Sequence, residues 1–431
     1  MSYDSVRQDE QMRVLDSSID AFIDKYNFLT AVLAILGVTP ARQTVFLFPG
    51  GMASKLRRAT TPWNATGPPS QVFNYKLTWG TEVELLGGAA RDLKMHKIVA
   101  TGEYRDKGRR IIIADGVTSL FDVRPYMFFT AWCFFKQIDC FIFPWDWRRS
   151  VDEVGTFFVD RFLPHFQERL QNECYVDPLA DYSLIGHSAG GLVVNWLLRN
   201  IDPLPGNLRK IITVAAPFYG YGGQLHRWFE GESYANGGGA FTSDIIKSLS
   251  SFPGCYAWHF LPKGFYDANE PAFKSDPYPL ASYPSVDFTT PTTAADPYDP
   301  QPPNKRYPKK TQTGFDMGEL AKAANLFAQL TSPLSPAQVA KFVNIRGDTT
   351  ANNTRNTTTW KLLPPITPSP IATTTLAPGD GVQPAWTTRD IDLFQQAPGN
   401  VITVTGADTA HMIIMDSPQT WAKVAAALGI P

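Results

Sequence analysis

Apolar runs of about four residues recur along this chain, each closed by glycine, proline or a polar pair, and between several of them the apolar positions fall three and four apart. Runs that short read as buried strands, and the intervening spacing as helices. The predicted strands are Val45–Phe48, Cys140–Phe143, Tyr182–Ile185, Ile211–Val214, Phe342–Ile345 and Val401–Val404, with helical spacing over Tyr126–Phe135, Val151–Leu170, Leu192–Leu197 and Met317–Leu330. Strand and helix in alternation are the mark of βαβ units, so the expected fold class is α/β, a mostly parallel doubly wound sheet.

Three stretches break the pattern. The first 40 residues read as an amphipathic arm or helix pair; its apolar end, Phe28–Val38, is too short to span a bilayer and is expected to pack on the fold. Residues 60–125 mix Trp63, Trp79 and a Pro-Pro pair without a period, and read as a loop-rich cap segment. Residues 231–340 pass from Gly237–Gly239 into dense Pro, Tyr and Thr between Pro271 and Pro308, the composition of a lid-like insertion. The expected organisation is therefore an arm (1–40), a first core part (41–230), a lid or insertion (231–340) and a second core part (341–431).

Charge narrows the function. A net charge of −1, with no polybasic or acidic run, argues against a nucleic-acid partner. The four cysteines show no Cys-x-x-Cys and no Cys/His ligand spacing, so free thiols and no metal or other cofactor are expected. No basic cluster followed by an apolar core opens the chain, which suggests a cytoplasmic location, compatible with peripheral contact at a membrane surface.

The chemistry centres on Gly186-His187-Ser188-Ala189-Gly190. Set between a strand and a helix, this Gly-x-Ser-x-Gly has the form of a nucleophile elbow, where glycines two residues either side leave room for a sharp turn that exposes the Ser188 hydroxyl. Adjacent side chains diverge on such a turn, so His187 is a poor base for Ser188. Strand Val45–Phe48 runs into Pro49-Gly50-Gly51-Met52, and the amide of Gly51 or Met52, with that of Ala189, can face a developing oxyanion. His411 follows the last strand, whereas His96, His165, His226 and His259 precede the required place and read as solvated or core residues. The acid that orients His411 is either Asp348, at the exit of strand Phe342–Ile345, or Asp380; spacing leaves both open. In Pro144-Trp145-Asp146-Trp147-Arg148, Asp146 and Arg148 read as a structural ion pair and Trp145 and Trp147 as walls of a substrate pocket.

Taken together, these motifs resemble those of the lecithin:cholesterol acyltransferase family, which includes lysosomal phospholipase A2 and phospholipid:diacylglycerol acyltransferases. Phe48-Pro49-Gly50-Gly51-Met52-Ala53-Ser54-Lys55-Leu56 is similar to that family's oxyanion strand and turn, Trp145-Asp146-Trp147-Arg148 to its Tyr-Asp-Trp-Arg signature, and Gly379-Asp380-Gly381-Val382 to the segment bearing its acid. The likeness covers roughly Val45 to Tyr221 and Phe342 to Trp421; residues 231–340 resemble no part of the family. It implies an α/β-hydrolase with cap and lid insertions, Asp380 as the acid behind His411, and an acyl-ester substrate of the lipid class. The expected function is thus a serine acyl hydrolase or acyltransferase. Its alternatives are a hydrolase or acyltransferase acting on a non-lipid ester, lactone or amide, and a non-catalytic binding protein on the same fold.

Overall fold

The computed structural model describes residues 2–37, 43–64, 71–79, 92–98, 103–118, 125–174, 181–220, 251–257, 271, 285–286, 317–350, 354–361 and 371–431. Its centre is a six-stranded sheet. In chain order the strands are β1 (Gln43–Phe48), β2 (Ile138–Ile142), β3 (Tyr182–His187), β4 (Leu208–Val214), β5 (Phe342–Asp348) and β6 (Val401–Thr405). They lie in the order β6-β5-β4-β3-β1-β2, and every pairing is parallel. All six strands read from the apolar runs are there, five of them extended by one to three residues and the second, β2, starting two residues earlier and ending one earlier.

Both faces of the sheet are buried, and the period-two alternation of β1 divides its side chains between two cores. Phe46 and Phe48 join Phe141, Phe143 and Leu184 on one face, under helices α1 (Tyr3–Ile35), α3 (Val151–Phe157) and α4 (Leu163–Glu173). Val45 and Leu47 join Ile185, Ile212, Val214 and Ile345 on the other, under α2 (Met127–Phe135) and α7 (Pro418–Leu428). Phe46 sits in an aromatic nest, its ring 5.2 Å from that of Phe166 and 5.5 Å from that of Phe158. A π-helical turn, Phe158–Phe162, joins α3 to α4 and turns both of its end phenylalanines into this nest.

Strand order decides where a site can form. The chain leaves β1 for β2 on one side and then returns to place β3 on the other, so the connections part company between β1 and β3. A crevice opens at such a switch point, beyond the carboxyl ends of the strands. Helix α5 (Ala189–Asn200) starts there, directly after β3.

The arm is a single helix of 33 residues, not a pair. Its buried residues, Tyr3, Arg7, Gln11, Leu15, Ile19, Phe22 with Ile23, and Tyr26, follow a three-to-four-residue spacing and form one stripe. Past Tyr26 no described residue of the helix is buried, although Asn27 still donates to the Glu173 carbonyl at 2.8 Å. Phe28, Ile35 and Leu36 are 66%, 84% and 67% exposed, which overturns the expectation that this end packs on the fold; Val38 lies outside the described residues.

The cap segment also contains more order than its composition suggests. Tyr75–Trp79 and Ile112–Val117 flank Ser54–Ala59 in a three-stranded antiparallel sheet. Gln11 of α1 finishes its edge: the side-chain amide donates to the Ala114 carbonyl at 2.9 Å and its oxygen accepts the Ala114 amide at 2.8 Å. Of the expected lid, 231–250, 258–270, 272–284 and 287–316 lie outside the described residues. Its last part, helix α6 (Met317–Leu330), packs on α5, where Asn195 donates to the Leu330 carbonyl. Among the described residues no helix is long and apolar enough to cross a membrane.

Candidate active site

Ser188 stands between β3 and α5 with φ 53° and ψ −126°, a conformation that non-glycine residues rarely adopt. Three glycines make the turn sterically feasible. A Cβ on Gly186 would lie 2.4 Å from the Gly190 carbonyl oxygen, one on Gly190 2.2 Å from that of Phe48, and one on Gly191 2.4 Å from Ala216 Cβ. The Ser188 amide donates to the Val214 carbonyl at 2.9 Å, fixing the turn against β4.

His411 reaches this hydroxyl from the loop after β6. Its Nε2 lies 2.9 Å from Ser188 Oγ, and its Nδ1 lies 2.7 Å from Asp380 Oδ2. Asp380 is 1% exposed, and its other oxygen, Oδ1, accepts the amides of Val382 and Gln383 at 3.0 and 2.6 Å. With one oxygen held by two amides, the other can face only the imidazole. A carboxylate accepts, so Nδ1 carries the proton and the Nε2 lone pair faces the serine hydroxyl. The backbone repeats the link: the His411 amide donates to the Asp380 carbonyl at 2.8 Å.

Between the two candidate acids the geometry is unequal. Asp348 directs its carboxylate to the Thr350 amide at 2.9 Å, and its carbonyl accepts from the Gly406 amide and the Thr409 hydroxyl. It braces the turn that leads into the histidine loop, and Asp380 is the acid that meets the ring.

Over the elbow lies the Pro49–Met52 turn, closed by the Ala53 amide donating to the Gly50 carbonyl at 3.1 Å. A Cβ on Gly50 would lie 3.1 Å from Ser188 Cβ, so the turn rests on Ser188. The Gly50 amide is spent on the Tyr126 hydroxyl at 2.8 Å. Those of Gly51, Met52 and Ala189 have no acceptor among the described residues, and Ala189 opens α5, where N–H groups point outward. Met52 is held at φ 66°, its carbonyl accepting from Trp79 Nε1.

Trp145 and Trp147, expected as walls of a substrate pocket, are buried behind the site. They are 3% and 0% exposed, and their indole N–H groups donate to the carbonyls of Pro49 and Ser54. A tryptophan at a strand end has one polar atom to satisfy when buried, and the turn's carbonyls are the acceptors within reach. Trp145 holds the Pro49–Met52 turn from behind, and Trp147 holds the start of the strand that follows it.

Arg148 is wholly buried and bridges Asp146 at 2.6 Å and Asp106 at 2.7 Å, the pair read from the sequence with a third member added. Burial pushes the Asp146 carboxyl up, but Arg148 and then Arg149 more than offset it and hold it below the usual 3.8. Asp106 in turn accepts the Tyr3 hydroxyl at 2.7 Å, which ties the start of α1 to the loop behind the site.

His165 pairs with Asp16 between α4 and α1, and His96 is exposed; His226 and His259 lie outside the described residues. None of the four cysteines forms a disulfide, and among the described residues no cluster of three or more His, Cys, Asp or Glu could hold a metal ion. The sequence reading passed over Tyr126 and set His187 aside; both lie buried against this site. Their only signal was position, a histidine beside the nucleophile and a tyrosine opening an aromatic helix.

A parallel sheet with a strained serine elbow after its third strand, an acid and a late histidine in that chain order, and an amide-bearing turn after the first strand define an α/β-hydrolase fold. No family model matches the chain. No curated protein matches it either. Among solved structures it is similar to one described as the Tle4-Tli4 complex, at 13% identity over 91% of this chain and 99% of that one, with a TM-score of 0.49. It is also similar to the lin2722 gene product of Listeria innocua, at 12% identity over 90% and 94% with a TM-score of 0.31. An acetylester hydrolase from Corynebacterium glutamicum shares 9% identity over 90% and 85% with a TM-score of 0.26.

Proposed function

We propose that this protein is a serine ester hydrolase or acyltransferase that carries the acyl group of a lipid ester on Ser188. What supports the reading is one observation, the unbroken chain from Asp380 Oδ2 through the His411 ring to Ser188 Oγ, with contacts of 2.7 and 2.9 Å. In that chain Ser188 Oγ attacks the ester carbonyl carbon as its proton passes to His411 Nε2, and Asp380 stabilises the resulting imidazolium. Negative charge gathers on the former carbonyl oxygen, where the Ala189 amide and that of Gly51 or Met52 are the available donors. Collapse breaks the ester C–O bond, and His411 returns the proton to the leaving alkoxide. Water or an alcohol then attacks the acyl-serine by the same route in reverse roles.

For a lipid substrate the support is the apolar surface around the histidine. Met412 and Ile413, immediately after His411, are 50% and 43% exposed, and Met127 and Phe128, at the start of α2, are exposed as well. Monomeric proteins seldom leave such clusters in water without a use for them. The likeness to the lecithin:cholesterol acyltransferase motifs points the same way.

A fluorophosphonate probe tests the chemistry: labelling of wild type that is lost in Ser188→Ala is expected, and no labelling of wild type would reject it. Purified protein offered phospholipid vesicles, with and without a long-chain alcohol, beside soluble p-nitrophenyl esters tests the substrate. Turnover of short soluble esters with none of vesicles would reject the lipid class, and an alcohol ester among the products would identify acyl transfer.

A further inference from the structure

We infer that Tyr126 and His187 form a hydrogen-bonded strut between the Pro49–Met52 turn and the backbone of His411, and that both are positioning residues for the proposed acyl transfer. The inference rests on that reading of Ser188, His411 and Asp380.

The strut is three contacts long. The Gly50 amide meets the Tyr126 hydroxyl at 2.8 Å, that hydroxyl meets His187 Nδ1 at 2.9 Å, and His187 Nε2 meets the His411 carbonyl at 3.1 Å. Proton positions follow from the two ends. A carbonyl only accepts, so His187 Nε2 carries the hydrogen; an amide only donates, so the Tyr126 oxygen accepts from Gly50. His187 Nδ1 is then bare, and the Tyr126 O–H donates to it. Every donor and acceptor is used once, in one direction. Protonation would break this order by leaving the phenol hydrogen without an acceptor. Burial, and then the neighbouring His411, also hold His187 well below its ordinary value of 6.5.

Both ends of the strut bear on the reaction. The His411 peptide is pinned on two sides, its N–H by the Asp380 carbonyl and its C=O by His187. Its ring can therefore gain and lose a proton without the residue shifting beneath it. At the other end, engaging the Gly50 N–H sets the turn so that the next two amides remain for the oxyanion.

Tyr126 is held for this at φ 72°, an unusual conformation for an aromatic residue. The restraint comes from Asp416, whose carboxylate accepts the Phe129 amide at 2.8 Å in the first turn of α2. Asp416 lies five residues after His411, so the strut closes a ring: histidine loop, α2, Tyr126, His187 and back to His411. A built, strained and fully satisfied network of this kind is what pre-organisation of a site requires.

Tyr126→Phe keeps the ring and removes the hydroxyl. With a soluble ester, kcat is expected to fall about tenfold while KM stays within about twofold and the melting temperature changes little. His187→Gln, whose amide can still donate to the His411 carbonyl, is expected to retain more activity than His187→Ala. The double variant Tyr126→Phe/His187→Gln is expected to be no worse than the weaker single, because both cut one chain. A Tyr126→Phe kcat within about twofold of wild type, or losses that multiply in the double variant, would overturn the proposal.

Nitrogen-15 spectra of the histidine rings read the strut independently of turnover, and so separate its failure from failure of the catalytic reading, in which wild type would not label. His187 is expected as a neutral imidazole protonated on Nε2 across about pH 5 to 8. An Nδ1-protonated or doubly protonated ring would overturn the proposal whatever the activity shows.

Discussion

Asp380 divides its two oxygens between backbone and imidazole, so its charge is committed in both directions. Asp380→Asn would still accept at the amides, yet could offer an NH₂ to His411 and reverse the tautomer. On that ground Asp380→Asn should lower kcat by up to about 10⁴-fold with little change in thermal stability, measurable in the same ester assay. Gly190→Ala makes the opposite kind of change. Its Cβ would fall 2.2 Å from the Phe48 carbonyl, which is backbone and cannot step aside. We expect a loss of about 1–3 kcal/mol in chemical denaturation together with loss of probe labelling. The elbow was legible in the sequence because its steric logic is local, confined to five residues. The acid was not legible from spacing, because Asp348 and Asp380 both follow a strand and precede the histidine; only the resemblance of Gly379-Asp380-Gly381-Val382 to the acyltransferase motif favoured Asp380. In the fold the direction of each side chain separates them. The tryptophans misled for a similar reason, since a Trp beside a strand end reads the same whether it lines a cavity or gives its N–H to a carbonyl.

Among the elements, the six central strands were legible as short apolar runs because burial on both faces leaves no polar alternation to confuse them. Helix α1 was legible only in part: its stripe ends at Tyr26, whereas its helical propensity continues to Ile35. Propensity sets how far a helix runs, and the partner surface sets how far it is buried. The small antiparallel sheet was missed because the strand edge at Ala114 is completed from residue 11, a partner that no local window contains. Gln11→Ala should strand both polar groups of Ala114 and cost about 1–3 kcal/mol in urea unfolding. Arg148 is a stronger case, one cation buried between two carboxylates. Arg148→Ala would break both bridges and leave Asp146 only the longer contact to Arg149 at 3.7 Å, at about 3–5 kcal/mol by the same measurement.

Over the whole molecule the same network predicts an acid limit to stability. The Asp146 carboxyl titrates lower in the fold than its ordinary 3.8, so its contribution is present above about that pH and is lost as pH falls through the lower folded value. Melting temperature followed downward from neutral pH should drop across that window, and Asp146→Asn should flatten the drop while lowering stability at neutral pH.

Ser188 and His411, the base of the proposed reaction, are separated by 223 positions of chain. At roughly 5–20 residues per second of synthesis, about 10 to 45 s elapse between the emergence of Ser188 and that of His411. Throughout that interval the growing polypeptide holds an alcohol no more reactive than any other serine. On the proposed reading, the order of the chain keeps Ser188 unactivated until the last strand of the central sheet has been made.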